Sequence, residues 1–113
     1  MTNLSHLKCK ACTGDTPKLS EKDIVDNLKK INNWQVNEKQ EMIFKKFSFK
    51  NFKKALHFTN LVGELAEEEG HHPDISLGWG YCLIMIHTHA IKGLSINDFI
   101  LAAKIDKIIQ LDQ

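Results

Sequence analysis

Hydrophobic and polar residues follow two different periods along this chain, and the longer period predicts three helices. Apolar residues recur at helical spacing in residues 21–31, 52–66 and 96–109. Each stretch follows a polar residue that is a good N-cap: Ser20, Asn51 and Ser95. Gly70 comes shortly after the second stretch and is typical of a helix C-terminus.

The shorter period predicts four strands. Residues 34–36 and 43–49, and then 75–77 and 81–88, are rich in aromatic and β-branched side chains. The links within each pair are short, so each pair predicts a hairpin. The predicted fold is therefore α+β, an antiparallel four-stranded sheet with helices packed on one face, in the order α-β-β-α-β-β-α.

The apolar residues of the second and last predicted helices are distributed differently. The second helix has one apolar stripe, formed by Phe52, Ala55, Leu56, Thr59, Val62, Leu65 and Ala66. In the last helix, apolar residues cover more than one face. Because such a helix needs two partners and the sheet has open edges, we expect the chain to form an oligomer.

The start of the chain differs from the rest. Residues 1–18 are polar, lack periodicity and include Gly14 and Pro17, so we interpret them as a flexible leader before a single domain of residues 19–113. The leader contains Cys9-Lys10-Ala11-Cys12, the spacing of half a zinc knuckle or of a redox pair. Two free thiols are the alternative, because no second pair or strand-turn-helix context accompanies the motif.

Composition excludes several classes of function. The chain has 113 residues, 42% hydrophobic and 26% charged, which fits one globular domain. A formal net charge of +1 provides no dominant field for nucleic acid or an anionic membrane. No apolar run reaches the about 18 residues of a membrane span, and no secretion signal is evident, so we expect a cytoplasmic location. Three cysteines do not predict a disulfide scaffold.

The candidate chemistry lies in the second half of the chain. His71 and His72 precede Pro73, His89 follows the last predicted strand, and Asp98 lies in the first turn of the last helix. Imidazoles titrate near neutrality, and ends of elements commonly form concave sites, so the spacing is compatible with one pocket for proton transfer. The alternative is idle surface histidines, with Asp98 favouring the helix dipole and pairing with the cap at Ser95. In that alternative, Trp79 would be a core residue and Glu67 part of a solvated face.

These residues resemble a known family, the pterin-4a-carbinolamine dehydratases, also described as dimerisation cofactors of a hepatocyte homeodomain transcription factor. The resemblance spans about residues 19–109 in element order. It is carried by a motif that fixes several residue types over some thirty positions: Glu67-x-x-x-His71-His72-Pro73-Asp74, Trp79, Thr88-His89-x-x-x-Gly93-Leu94-Ser95 and Asp98.

The resemblance implies dehydration of 4a-hydroxytetrahydropterin, the product of aromatic amino acid hydroxylases, to quinonoid dihydropterin, without a metal or an organic cofactor. It also implies a homodimer or a homotetramer, and the sequence does not choose between them. It implies that His71, His72 and His89 are the catalytic histidines. Asp98 would share their pocket, and Glu67 and Trp79 would support substrate binding. Our hypothesis is that His72 and His89 are the acid-base pair and His71 orients the pterin. Asp98 would then hold an imidazole tautomer or contact the pterin amide edge.

Two positions depart from the family pattern. His87 lies two positions before His89, on the same strand face, where the family requires no histidine. Ile75 stands where the family has an aromatic residue, so other walls of the pocket would have to supply apolar contact with the pterin.

Two rival functions come from other classes. The first is a non-catalytic binding module acting through the last helix and an open sheet edge or face. The second is a metal hydrolase that uses His71, His72, His87 and His89, because imidazoles alone can bind zinc. The preferred prediction has a small pterin as substrate, a functional link to an aromatic amino acid hydroxylase, and no nucleic acid or membrane partner.

Overall fold

The computed structural model describes residues 3–10 and 13–112, and in this part of the chain it contains three helices and four strands. Their bounds are α1 Glu21–Leu28, β1 Gln35–Val36, β2 Ile43–Ser48, α2 Phe52–Glu69, β3 Asp74–Gly78, β4 Tyr81–Ile86 and α3 Ile96–Asp112. Short 3₁₀ turns lie at Leu4–His6 and His89–Ile91. The predicted α+β class and element order are confirmed.

The sheet has the order β1-β2-β4-β3 with antiparallel neighbours throughout. Its inner face is apolar and buried, as at the cross-strand pairs Ile43↔Ile86 and Phe47↔Cys82. Lys45 also lies on this face, and its Nζ donates to Asp106 of α3 at 2.9 Å. The indole N–H of Trp34 donates to the same carboxylate at 3.0 Å, so polar contacts tie the sheet to the helix above it.

Local bonds fix the starts of α1 and α2 and the end of α2 where the sequence predicts them, whereas α1 ends at Leu28 and not at the predicted Ile31. The Ser20 hydroxyl accepts from the Asp23 N–H at 3.2 Å, and the Asn51 side chain accepts from the Lys54 N–H at 2.9 Å. After α2, Gly70 has a φ of 65° and its N–H donates to the Ala66 carbonyl. These caps set where α2 stops, and so where the two adjacent histidines begin.

The predicted apolar stripe of α2 is wrong at two positions. Phe52 and Leu56 are 45% and 40% exposed, whereas Phe58, which the stripe omits, is fully buried. The core face of α2 runs through Ala55, Phe58, Val62 and Ala66. Leu56 lies about 100° around the helix from Ala55 and therefore faces away from the sheet.

Part of the predicted leader packs on the domain. Leu4 is 4% exposed and belongs to the hydrophobic core, against which Leu7 and Cys9 also pack. The flexibility of residues 1–18 and the domain boundary stay predictions, and Cys12 lies outside the described residues. Within residues 3–10 and 13–112, no helix has the length and apolar character to cross a membrane.

Candidate active site

A cavity of about 360 Å³ opens between the end of α2 and the end of β4. Residues 70–74 and 87–90 line it, so two segments that are far apart in sequence meet there. His71, His72 and His89 all lie on its wall, together with His87. A larger groove of about 700 Å³ runs between the leader and α3, and its described lining contains no histidine.

His71 forms the inner wall of this cavity. Because Gly70 adopts a left-handed conformation, the chain can turn off α2, and the His71 N–H then donates to the Ala66 carbonyl at 3.3 Å. The turn directs the imidazole toward the start of α3. The residue is 6% exposed, and its Nε2 lies 2.6 Å from Asp98 Oδ1.

Asp98 is the centre of a fully connected buried network. Its Oδ2 accepts from the Thr88 hydroxyl and from the Ser95 N–H, each at 2.8 Å, and the Thr88 and Ser95 hydroxyl oxygens are also 2.8 Å apart. A carboxylate can only accept, so His71 Nε2 and Thr88 must both donate to it. Ser95 then donates to Thr88. The network therefore selects the tautomer of His71 that carries its proton on Nε2.

His72 lies on the outer rim of the cavity. Its Nε2 is hydrogen-bonded to Glu67 Oε2 across the last turn of α2. The side chains of His72 and Glu67 are 62% and 77% exposed, so water competes with this contact. The two adjacent histidines therefore contact different carboxylates in different environments.

His89 and His87 form the opposite wall. A bridge between Thr88 and Gly93 closes the segment after β4, and the 3₁₀ turn His89–Ile91 begins inside this loop. The rings of His87 and His89 meet edge to face with centroids 4.1 Å apart. His87 Nε2 also lies 3.1 Å from Asp74 Oδ2, so the unexpected histidine packs between an acid and a predicted catalytic group.

The other predicted site residues lie at different distances from the cavity. Asp98 is fully buried behind His71, and Glu67 contacts the rim through His72. Trp79 is not brought to the histidines, since it lies in the β3–β4 turn, at the opposite end of the hairpin from the cavity. It is 72% exposed and so is not a core residue either. Asp74, at the cavity end of β3, is five residues from Trp79 and therefore roughly 17 Å away along the strand. Ile75 packs against the core.

Sequence reasoning gave no role to Thr88 or Asp74 in this site, and it treated Ser95 only as a helix cap that Asp98 could pair with. All three stand in the family-like motif, which is the signal that could have identified them. Their function as hydrogen-bond partners depends on contacts between separate elements, such as Thr88 with Asp98. Among the described residues, no three or more His, Cys, Asp or Glu side chains form a group that could hold a metal ion.

Comparison with known proteins gives a consistent family result. Residues 17–108 match the family model described as pterin 4 alpha carbinolamine dehydratase. A protein of Rickettsia canadensis is 49% identical over 96% of this chain and 100% of its own length. One of Methylococcus capsulatus is 42% identical over 94% and 93%, and one of Alkaliphilus metalliredigens is 46% identical over 95% and 96%. All three are named "Putative pterin-4-alpha-carbinolamine dehydratase".

Two solved structures share the fold. The crystal structure of a transcriptional coactivator/pterin dehydratase from Brucella melitensis has a TM-score of 0.77 and 27% identity, over 81% of this chain and 98% of that one. A pterin dehydratase-like protein identified as a RuBisCO assembly factor in the alpha-carboxysome has a TM-score of 0.59 and 27% identity, over 68% of this chain and 89% of that one.

Proposed function

The chain belongs to the pterin 4 alpha carbinolamine dehydratase family, and we propose that it dehydrates 4a-hydroxytetrahydropterin to quinonoid dihydropterin. The observation that carries this proposal is the meeting of His71, His72 and His89 around one cavity. The cavity's volume of about 360 Å³ is within the range that small-molecule sites occupy.

The reaction needs proton transfer at two places on the substrate. The bond between the 4a carbon and the hydroxyl oxygen breaks, its electron pair leaves with oxygen, and an acid supplies one proton to form water. The lone pair of the adjacent ring nitrogen stabilises the cation that develops at the 4a carbon. A base then removes one proton from the ring, so the protons balance and nothing is oxidised or reduced. Imidazole can act as either acid or base near neutral pH.

We assign the acid-base pair to His72 and His89. Both line the cavity and are exposed, so each can exchange its proton with water between turnovers. His71 is buried and bonded to Asp98, which suits a group that orients the pterin or its leaving oxygen in a fixed direction. In this scheme Asp98 is a positioning residue, because it acts through His71, and Glu67 supports His72.

This activity would serve the recycling of tetrahydrobiopterin-type cofactors, downstream of an aromatic amino acid hydroxylase. The cavity contains side chains able to polarise the polar edge of a bicyclic ring, and Pro73 and Ala90 supply apolar surface beside them. Trp79 would contribute to pterin binding only from another part of the surface, since it lies at the far end of the β3–β4 hairpin.

A stopped-flow ultraviolet assay of carbinolamine decay tests the proposal. The wild-type chain should accelerate the decay, and His72→Gln and His89→Gln should each reduce kcat by about 100-fold. The double variant should approach the uncatalysed rate. His57→Gln, at an exposed position of α2, is the matched control and should keep wild-type activity.

Full activity in the double variant would discard the acid-base assignment. A wild-type chain that gives no acceleration would favour the non-catalytic binding module. Metal analysis separates the third possibility, since stoichiometric tight zinc in the purified protein would contradict the proposed metal-free reaction.

A further inference from the structure

We propose that Cys9 and Lys10 of the leader, with Glu69 and Asn97, form a clamp that positions the His71–Asp98 pair, an inference that rests on the dehydratase function proposed above. We call these four residues the leader clamp. The clamp joins the end of α2 to the start of α3 through hydrogen bonds from a third segment of the chain.

The contact with α3 is reciprocal. The Lys10 N–H donates to Asn97 Oδ1 at 3.0 Å, and Asn97 Nδ2 donates to the Lys10 carbonyl at 2.8 Å. The amide side chain thereby satisfies both backbone polar groups of one leader residue, as a neighbouring strand would. Asn97 is only 3% exposed, so water competes little with these bonds.

The contact with α2 passes through Glu69. The Cys9 N–H donates to Glu69 Oε1 at 3.0 Å, and Lys104 Nζ of α3 donates to Glu69 Oε2 at 3.1 Å. Burial alone would raise the pKa of Glu69, but the bonds from the Cys9 N–H and the Lys104 ammonium hold it below its ordinary value. The carboxylate is therefore charged when it holds the leader at neutral pH.

The Cys9 thiol also contributes to the binding of the leader to α3. It donates to the Asn97 carbonyl at 3.6 Å. Burial, followed by the nearby Glu69 carboxylate, raises the pKa of the thiol to about 12. Since the thiol stays neutral, it adds no charge that would repel Glu69 and loosen the clamp.

The two residues that bind the leader, Glu69 and Asn97, lie close in sequence to His71 and Asp98. Asn97 directly precedes Asp98, and Glu69 comes two residues before His71. Asp98 is fully buried and holds His71 at 2.6 Å, so a small shift of either backbone changes that distance. Loss of the clamp should therefore lower the rate of the chemical step, because small misplacements of catalytic groups are costly.

A proline scan of the leader tests the clamp on the full-length chain. Lys10→Pro removes the N–H that binds Asn97, and Asn97→Ala removes both bonds of that contact. Lys8→Pro is the matched control, because Leu7 has φ −84° and ψ 162°, which accept a following proline. Three readouts apply: kcat and KM, the melting temperature, and the ring ¹⁵N shifts of His71.

The two clamp variants should lose about 10-fold in kcat with KM within about twofold, and the His71 ring shifts should move while the fold stays intact. Lys8→Pro should match wild type in every readout. Unchanged kcat and unchanged His71 shifts, with the Leu7 and Cys9 amide signals showing an undocked leader, would overturn the proposal. If the wild-type chain proves inactive, the His71 shifts still test the clamp independently of the dehydratase function.

Discussion

His71 and His72 are adjacent in the sequence, yet one lies in the buried inner wall of the cavity and the other on its exposed rim. His71 is 6% exposed and bonded to a carboxylate that two further donors hold in place. The side chain of His72 is 62% exposed, and its partner Glu67 is free to reach water. A buried contact fixes geometry because water cannot replace it, whereas an exposed one leaves the imidazole able to exchange protons.

The same contrast separates two glutamates of one acidic run. The side chain of Glu69 is 9% exposed and binds both the leader and Lys104. Glu67, two positions earlier, has a side chain that is 77% exposed. Position along the helix therefore decides which carboxylate is structural and which belongs to the rim. Three predictions test this contrast between buried and exposed groups.

The largest effect is expected at the inner wall. The asparagine side chain of Asp98→Asn cannot accept from His71, Thr88 and Ser95 at once, because an NH₂ group, which only donates, replaces one of the two carboxylate oxygens. We expect kcat to fall by about 100-fold and the free energy of unfolding to fall by about 2 kcal/mol. Kinetics and urea unfolding measure the two losses. Asp26→Asn, exposed on α1, is the control, and an Asp98→Asn chain that equals it would remove the distinction between wall and rim.

An intermediate effect is expected when Glu69 and Glu67 are compared. Glu69→Ala breaks the bond from the Cys9 N–H and leaves Lys104 without its carboxylate, so the free energy of unfolding should fall by about 1–2 kcal/mol. Glu67→Ala should change the free energy of unfolding by less than about 0.5 kcal/mol, because the contact of Glu67 with His72 is exposed to water. Chemical denaturation of both variants measures the difference. Equal losses would show that burial does not separate these two residues.

The smallest effect is a dependence of leader docking on acid. Although burial alone would raise it, the bonds from the Cys9 N–H and Lys104 hold the pKa of Glu69 below its ordinary value in the folded protein, so its charge stabilises docking above that ordinary value. This contribution is lost as the pH falls through the lower folded-state pKa. The Cys9 amide signal should titrate in this window, below the range in which histidines titrate. The same signal in Glu69→Gln should not respond, and a response there would assign the titration to another group.

Local features of the fold could be predicted because they depend on neighbours in sequence. Ser20 and Asn51 cap their helices through N–H groups three residues away, and the left-handed turn at Gly70 needs only the absence of a Cβ. The hairpins likewise follow from short links between compatible strands. The class and order of the fold follow from these local preferences.

Features that depend on distant contacts could not be predicted in the same way. Leu4 is an isolated apolar residue in a polar leader, and only its fit against the core shows that it is buried. Phe52 and Leu56 are as apolar as core residues but lie on the outer side of α2. The bond between His71 and Asp98 joins residues 27 positions apart, so no local pattern encodes it.

The sequence by itself determined the elements, their order and the set of titratable side chains, because backbone preferences and hydrophobic periodicity act over a few residues. The tertiary structure decided which of the two adjacent histidines is buried, which carboxylate holds it, and that Trp79 lies away from them. Those outcomes depend on how α2, β4, α3 and the leader pack together. Burial and exclusion of water then give similar side chains different functions.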